Sequence, residues 1–166
     1  MRLDTFLIAD AVTAAESRVY IHAGSLTRLN VPMLPFPVSQ LGLYLRLQAD
    51  KDSELRKKHL LRIVIMGPAG IPNIAPMEFP LMPQELPPLL EGEQRFMDIA
   101  INIGGITIYR AGLHNIEVYL DGDLLRSTPL PVQLGMQAPE PEPQSVPKRA
   151  PKKRPPAPPK KQARRR

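Results

Sequence analysis

Ten of the chain's 22 lysines and arginines fall within its last 29 residues, as Lys148, Arg149, Lys152, Lys153, Arg154, Lys160, Lys161, Arg164, Arg165 and Arg166. Side chains of this kind, grouped in twos and threes, neutralise phosphates and release condensed counterions. The resulting affinity is independent of base sequence and steep in salt. Nine prolines share the same 29 residues and hold the basic groups apart in an extended, polyproline-like chain. No large apolar cluster is present there to offset the conformational entropy of folding, so residues 137–166 read as a disordered tail. Its expected partner is nucleic acid, bound nonspecifically. An acidic protein or membrane surface, or plain solubilisation, are the alternatives.

Few other residues offer chemistry. The three histidines, His22, His59 and His114, stand at no metal-ligand spacing, and no HExxH occurs. Ser25 follows Ala23-Gly24 but has no assignable His or Asp partner, and there is no G-x-S-x-G elbow or P-loop. Gly67-Pro68-Ala69-Gly70 lacks the following lysine and helix start of a phosphate cradle, and Pro68 removes an N–H; it reads as a turn. Asp121 and Asp123 flank Gly122, with Asp10 and Asp98 elsewhere, but calcium requires six to eight oxygens and a tight turn favours aspartate by itself. Tyr44, Tyr109 and Tyr119 alternate so as to face outward, yet few basic residues interleave with them for base stacking. With no cysteine there is no disulfide framework or thiolate chemistry. No cofactor, metal or catalytic residue is expected, and the chain is expected not to be an enzyme.

The elements that carry these residues are strands. Met97, Ile99, Ile101 and Ile103 alternate with Asp98, Ala100 and Asn102, a period of two that places four apolar side chains on one face. Gly104-Gly105 interrupts this strand as a bulge or turn. Ile116, Val118 and Leu120 form a second alternating run that ends at Asp121-Gly122, a strong hairpin signal because a type I′ turn needs φ > 0 at both central residues. Pro129 and Pro131 on the return strand predict a sheet edge. Residues 2–11 predict a strand buried on both faces, followed by a turn at Glu16-Ser17. Residues 19–23 predict another strand, extendable through Leu26 and Leu29.

Residues 30–38, with three prolines, predict a loop. Leu41, Leu43, Leu45 and Leu47 alternate with Gly42, Tyr44, Arg46 and Gln48, which predicts a half-buried strand with one polar face. A charged loop or helical turn over 50–58, a strand over 59–66 and an extended piece at 77–81 complete the pattern. Seven to eight short strands without an amphipathic helix predict an all-β, antiparallel β-sandwich over residues 1–136, immunoglobulin-like or C2-like.

Net charge divides along the same line. Residues 1–137 hold 12 Lys+Arg against 14 Asp+Glu, a net of −2, whereas residues 138–166 hold ten against two, a net of +8. No apolar run approaches the ~20 residues of a membrane helix, and the first twelve residues carry a single basic group with Asp4 breaking the apolar run. Neither a secretory leader nor a spanning segment is therefore expected, and a cytoplasmic location is.

Three segments, MRLDTFLIADAV, RVYIHAGSLTRL and GLHNIEVYLDGDLLRSTPLPV, resemble a bacterial domain family of unknown function. The resemblance implies one bacterial β domain over about residues 1–134 and brings no site residues. The tail resembles the Lys-, Pro- and Ala-rich tails of bacterial nucleoid-associated proteins in composition. Taken together, the residues describe a sandwich module for protein interaction with a nucleic-acid-binding tail. The alternative is a structural protein that assembles through its sandwich.

Overall fold

The computed structural model describes residues 1–16, 18–85, 87–88 and 93–135. They belong to the first of the chain's two units, Met1–Met136. The expected tail, with all ten of its candidate basic residues, lies outside the described residues.

The strands are β1 (Arg2–Ala9), β2 (Ala11–Ala15), β3 (Arg18–His22), β4 (Leu29–Val31), β5 (Phe36–Ala49), β6 (His59–Met66), β7 (Met77–Leu81), β8 (Arg95–Ile108), β9 (Gly112–Leu120) and β10 (Asp123–Leu134), with one helical turn, α1 (Asp52–Leu55). Three strands form a sheet in the order β1-β5-β8, and five form a second in the order β4-β10-β9-β6-β7. All pairs are antiparallel except β4 with β10. The inner faces meet in one core, where Leu43, Leu45 and Leu47 of β5 oppose Leu61, Ile63, Ile116 and Val118 of the second sheet. The chain crosses between sheets in the order of an immunoglobulin-like Greek key, with β1 in one sheet and the short β4 added parallel to the last strand of the other.

The 14-residue β5 is the centre of the first sheet, because β1 and β8 both pair with it. Its inward leucines alternate as expected. Its other face differs from the expectation of a polar, solvated surface: Gly42, Tyr44 and Gln48 are buried too. The reason is a separate hairpin, β2–β3, that folds over the outside of the sheet. Val12, Ala9 and Tyr44 form a second small core there, with Leu7, Val19, Ile21 and Ala100 around it. Gly42 permits the close approach: a Cβ at this position would lie 2.7 Å from the Ala11 carbonyl carbon and 2.9 Å from the Val12 nitrogen.

Asn102 of β8 fastens the hairpin from below. Its Nδ2 donates to the Val12 carbonyl at 2.7 Å, and its Oδ1 accepts from the Val12 amide at 3.0 Å and from Gln40 Nε2 at 2.9 Å. One side-chain amide thus replaces a strand partner for Val12, satisfying a buried peptide group that the fold would otherwise leave unpaired.

Several boundaries differ from the sequence reading. The chain bends at Asp10, so residues 2–15 make two strands in place of one. β3 stops at His22, where Ala23 and Ser25 take positive φ (48° and 65°) and turn the chain away. Residues 30–38 are not a continuous loop: β4 ends at Val31 and β5 begins at Phe36. Pro37 is tolerated there because β1 reaches only to Gly42, leaving β5 paired on one side alone, with Thr107 opposite. Gly104-Gly105 produces neither a turn nor a slip. Gln40 faces Gly104 and Val38 faces Ile106 in one unbroken register, with the positive φ of Gly105 absorbed inside β8. β10 is an edge only over its first part: beyond Pro131, residues 132–134 pair with β4. The Asp121-Gly122 turn has the expected positive φ at both residues (53° and 97°).

Two substitutions test this architecture. Leu45→Ala deletes a fully buried side chain at the centre of β5 and is expected to lower the unfolding free energy by about 2–5 kcal/mol in chemical denaturation. Gly42→Val drives two methyl groups into the hairpin backbone. It is expected to release β2–β3, seen as fast hydrogen exchange at the Val12 amide, while the amides of β6 and β9 stay protected.

Candidate functional site

The histidines lie on three different strands and do not converge. Among the described residues no group of three or more His, Cys, Asp or Glu side chains is placed to hold a metal ion. His22 is exposed at the end of β3. His114 is buried, with Nδ1 3.2 Å from the Gly112 carbonyl. A carbonyl only accepts, so Nδ1 carries the proton and Nε2 points as a bare acceptor toward Leu41, Ile65 and Leu130, without a partner. Ser25 sits in the loop after β3, with no hydrogen-bonded histidine. The Gly67–Gly70 segment is the turn expected, closed by the Gly70 amide donating to the Gly67 carbonyl at 3.0 Å.

His59 has the most developed surroundings. Its Nδ1 is 2.6 Å from Asp121 Oδ2, and its Nε2 is 2.6 Å from the Glu54 carbonyl. Both neighbours accept, so the full set of hydrogen bonds requires both ring nitrogens to be protonated. The Asp121 carboxylate, as first cause, pushes the His59 imidazole above its usual range against the opposing effect of burial. Burial pushes the Asp121 carboxyl up in turn, but hydrogen bonds from His59 and the Leu60 amide outweigh it and hold the group below the usual carboxylate range. The same end of the sandwich ties the Met1 amino group to Glu54 at 3.1 Å and Arg95 to Asp52 at 3.1 Å. Asp121 is thus a clamp between the β9–β10 turn and the start of β6. Neither Asp10 nor Asp98 joins it in a common oxygen cage.

A second polar cluster lies on the outer face of the first sheet. Asp98 accepts from the Tyr44 hydroxyl at 2.6 Å and from Arg46 Nε at 2.8 Å and Nη2 at 3.2 Å. The Arg46 guanidinium, first, and the Tyr44 hydroxyl hold the Asp98 carboxyl low, while burial and then the Asp98 hydrogen bond push the Tyr44 phenol up. The Phe96 ring lies 5.3 Å from the Arg46 guanidinium. This cluster was within reach of sequence reasoning, since Arg46 and Asp98 occupy outward positions of two facing strands. The signal that joins them is the register of β5 against β8, which composition does not encode.

The three tyrosines are far apart in kind and place. Tyr44 is buried under the hairpin, Tyr119 lies on the outer face of the second sheet beside Arg62, and Tyr109 is exposed in the β8–β9 loop. They form no common stacking platform. Tyr109, Arg110, Ile71 and Pro72 instead line an open cleft of about 260 Å³ at the end of the sandwich where β6 and β9 meet their loops.

This architecture defines a β-sandwich module with immunoglobulin-like strand order and internally satisfied polar clusters. A family model described as a family of unknown function (DUF6941) matches residues 4–133, and the chain belongs to that family. No curated protein matches the sequence. Among solved structures, the alkylpurine DNA glycosylase AlkC of Pseudomonas fluorescens, bound to DNA with an abasic site analog, is similar over 77% of this chain and 30% of its own, at 16% identity and a TM-score of 0.41. An immunoglobulin-like protein of Pseudomonas aeruginosa is similar over 80% of this chain and 95% of its own, at 15% identity and a TM-score of 0.37. A β-glucosidase of Listeria innocua in complex with glucose is similar over 78% and 16%, at 10% identity and a TM-score of 0.40. The chain therefore spans about a third of the glycosylase and about a sixth of the glucosidase. No helix among the described residues is long and apolar enough to cross a membrane.

The His59–Asp121 pair gives stability a defined pH window. The raised imidazole contributes fully below roughly pH 6.5 and its contribution fades as pH rises through the folded value. The depressed carboxyl contributes above roughly pH 4 and its contribution fades as pH falls through its own folded value. Urea midpoints measured across pH are expected to peak between these limits. His59→Gln is expected to flatten the decline on the alkaline side.

Proposed function

We propose that this protein is a non-enzymatic, cytoplasmic interaction module, whose sandwich takes a protein partner and whose basic tail attaches it to nucleic acid without sequence preference. The observation that carries this reading is the partition of charge: +8 on residues 138–166 against −2 on residues 1–137. Within the sandwich, cations are matched by local acceptors, as with Arg46 on Asp98, Arg95 on Asp52 and Arg2 on Gln48. The tail's ten cations face only Glu140 and Glu142 in their own stretch. Proline spacing keeps them extended, which suits a phosphate backbone better than a compact acidic pocket. The non-enzymatic reading is supported by the engagement of the polar clusters in internal hydrogen bonds that hold turns and strands.

A salt titration of binding to a labelled DNA duplex, comparing the full chain with residues 1–137, tests the assignment. Only the full chain is expected to bind. The slope of log affinity on log salt is expected to be steep, approaching roughly −9 if all ten cations engage phosphates. Equal binding and equal slope for the truncated chain would place the interaction in the sandwich and end this reading.

A further inference from the structure

A sheet edge with unpaired N–H and C=O groups invites another strand, and folded proteins guard such edges with proline, charge, bulges or brevity. The edges of this sandwich follow that rule. β7 carries Pro80, β4 has three residues, and the open part of β10 carries Pro129 and Pro131. β1 is broken in register between Leu3 and Thr5, at Asp4, and β8 packs against β2. β3 departs from it. Its residues, Arg18-Val19-Tyr20-Ile21-His22, are aromatic or β-branched at the centre, contain no proline or bulge, and pair only with β2.

The open edge of β3 faces a groove. Arg18, Val19, Tyr20 and Ile21, four consecutive residues, line one cleft of about 420 Å³ together with Tyr44, Arg46 and Asp98. Side chains of a strand alternate between faces, so consecutive residues line one cleft only when it runs along the strand's edge. A second cleft of about 490 Å³ continues from it past Ala14, Phe96 and Gln84, sharing Arg18, Val19 and Asp98. The groove has a floor, formed by the Tyr44–Arg46–Asp98 cluster of the sheet beneath. A floor at that depth accommodates one added strand and obstructs a second sandwich, which would bring its own sheet beneath its own hairpin. Arg46 is neutralised by Asp98, whereas Arg18, common to both clefts, has no acidic partner among the described residues.

We propose that β3 is a docking edge for an extended peptide segment of another protein, which adds as a third strand to the β2–β3 hairpin and places an acidic side chain at Arg18. Main-chain hydrogen bonds to β3 supply the affinity, and the floor selects side chains on one face of the incoming strand. The site is separate from the tail, so it stands whether or not the tail binds nucleic acid.

The test uses the full chain and the probe acetyl-Ser-Glu-Val-Thr-Val-Glu-Ser-amide, alongside the same peptide N-methylated at every internal residue. Both peptides carry equal charge, so any contact with the basic tail is common to them. The readout is hydrogen exchange at the amides of Arg18 to His22. The plain peptide is expected to slow exchange there, at concentrations up to about 1 mM, the weak end of specific recognition. The N-methylated peptide is expected to have no such effect. Arg18→Glu, at an exposed position, is expected to weaken the response to the plain peptide roughly tenfold with an unchanged circular dichroism spectrum. Equal effects of the two peptides, or no slowing at β3, would overturn the proposal. So would slowing that appears on raising protein concentration alone, which would make β3 a seam between copies of this chain.

Discussion

The structure depends on burying β5 on both of its faces. One face is ordinary sandwich chemistry: four leucines at every second position meet the aliphatic side chains of β6 and β9. The other face requires a cover, because Tyr44 and the bare backbone at Gly42 would otherwise face water at the middle of the sheet. The β2–β3 hairpin is that cover, and its closeness to the sheet is limited by a single absent methyl group. The order of the remaining elements follows. β1 must end near Asp10 so that the chain can rise over the sheet, and β4 must return it to the opposite sheet beside β10.

A backbone that lies on top of another sheet has peptide groups without a ladder partner. Asn102 resolves this for Val12, offering both a donor and an acceptor from one planar amide. The same economy recurs at the far end of the sandwich. Asp121 sits at a turn position and accepts both from the Leu60 amide and from the His59 ring. The polar side chains of the folded unit therefore act mostly inward, on its own backbone and its own charges. Partner recognition is left to features the fold does not consume: the open edge of β3, the loop cleft beside Tyr109, and the charge carried beyond the sandwich.

Much of the sandwich is legible in the alternation of Leu41–Leu47, Met97–Ile103 and Ile116–Leu120, and the Asp121-Gly122 turn is legible because its backbone conformation restricts residue choice. The strand pattern and the resemblance to a bacterial family point to the same domain, and the family model covers residues 4–133. Less legible were the places where proline and glycine do something other than break a strand. Pro37 sits in β5 where only one side is paired, and Gly104-Gly105 stays within β8 because the neighbouring register is held on both sides. The Tyr44–Asp98–Arg46 cluster and the His59–Asp121 clamp escaped notice because their members lie 52 to 62 residues apart along the chain.

By itself, the sequence determined the class of fold, the face of each long strand that turns inward, the tight turn before β10 and the concentration of positive charge in the last 29 residues. These are local properties, set by side-chain period, by φ restrictions and by composition. Only the tertiary structure decided that β5 is covered on both sides, that Asn102 stands in for a strand, that His59 meets two acceptors and that β3 keeps an open edge above a floored groove. Each of these depends on which strand lies against which, and at what register. That is settled by the summed packing of distant segments and has no signature within any one of them.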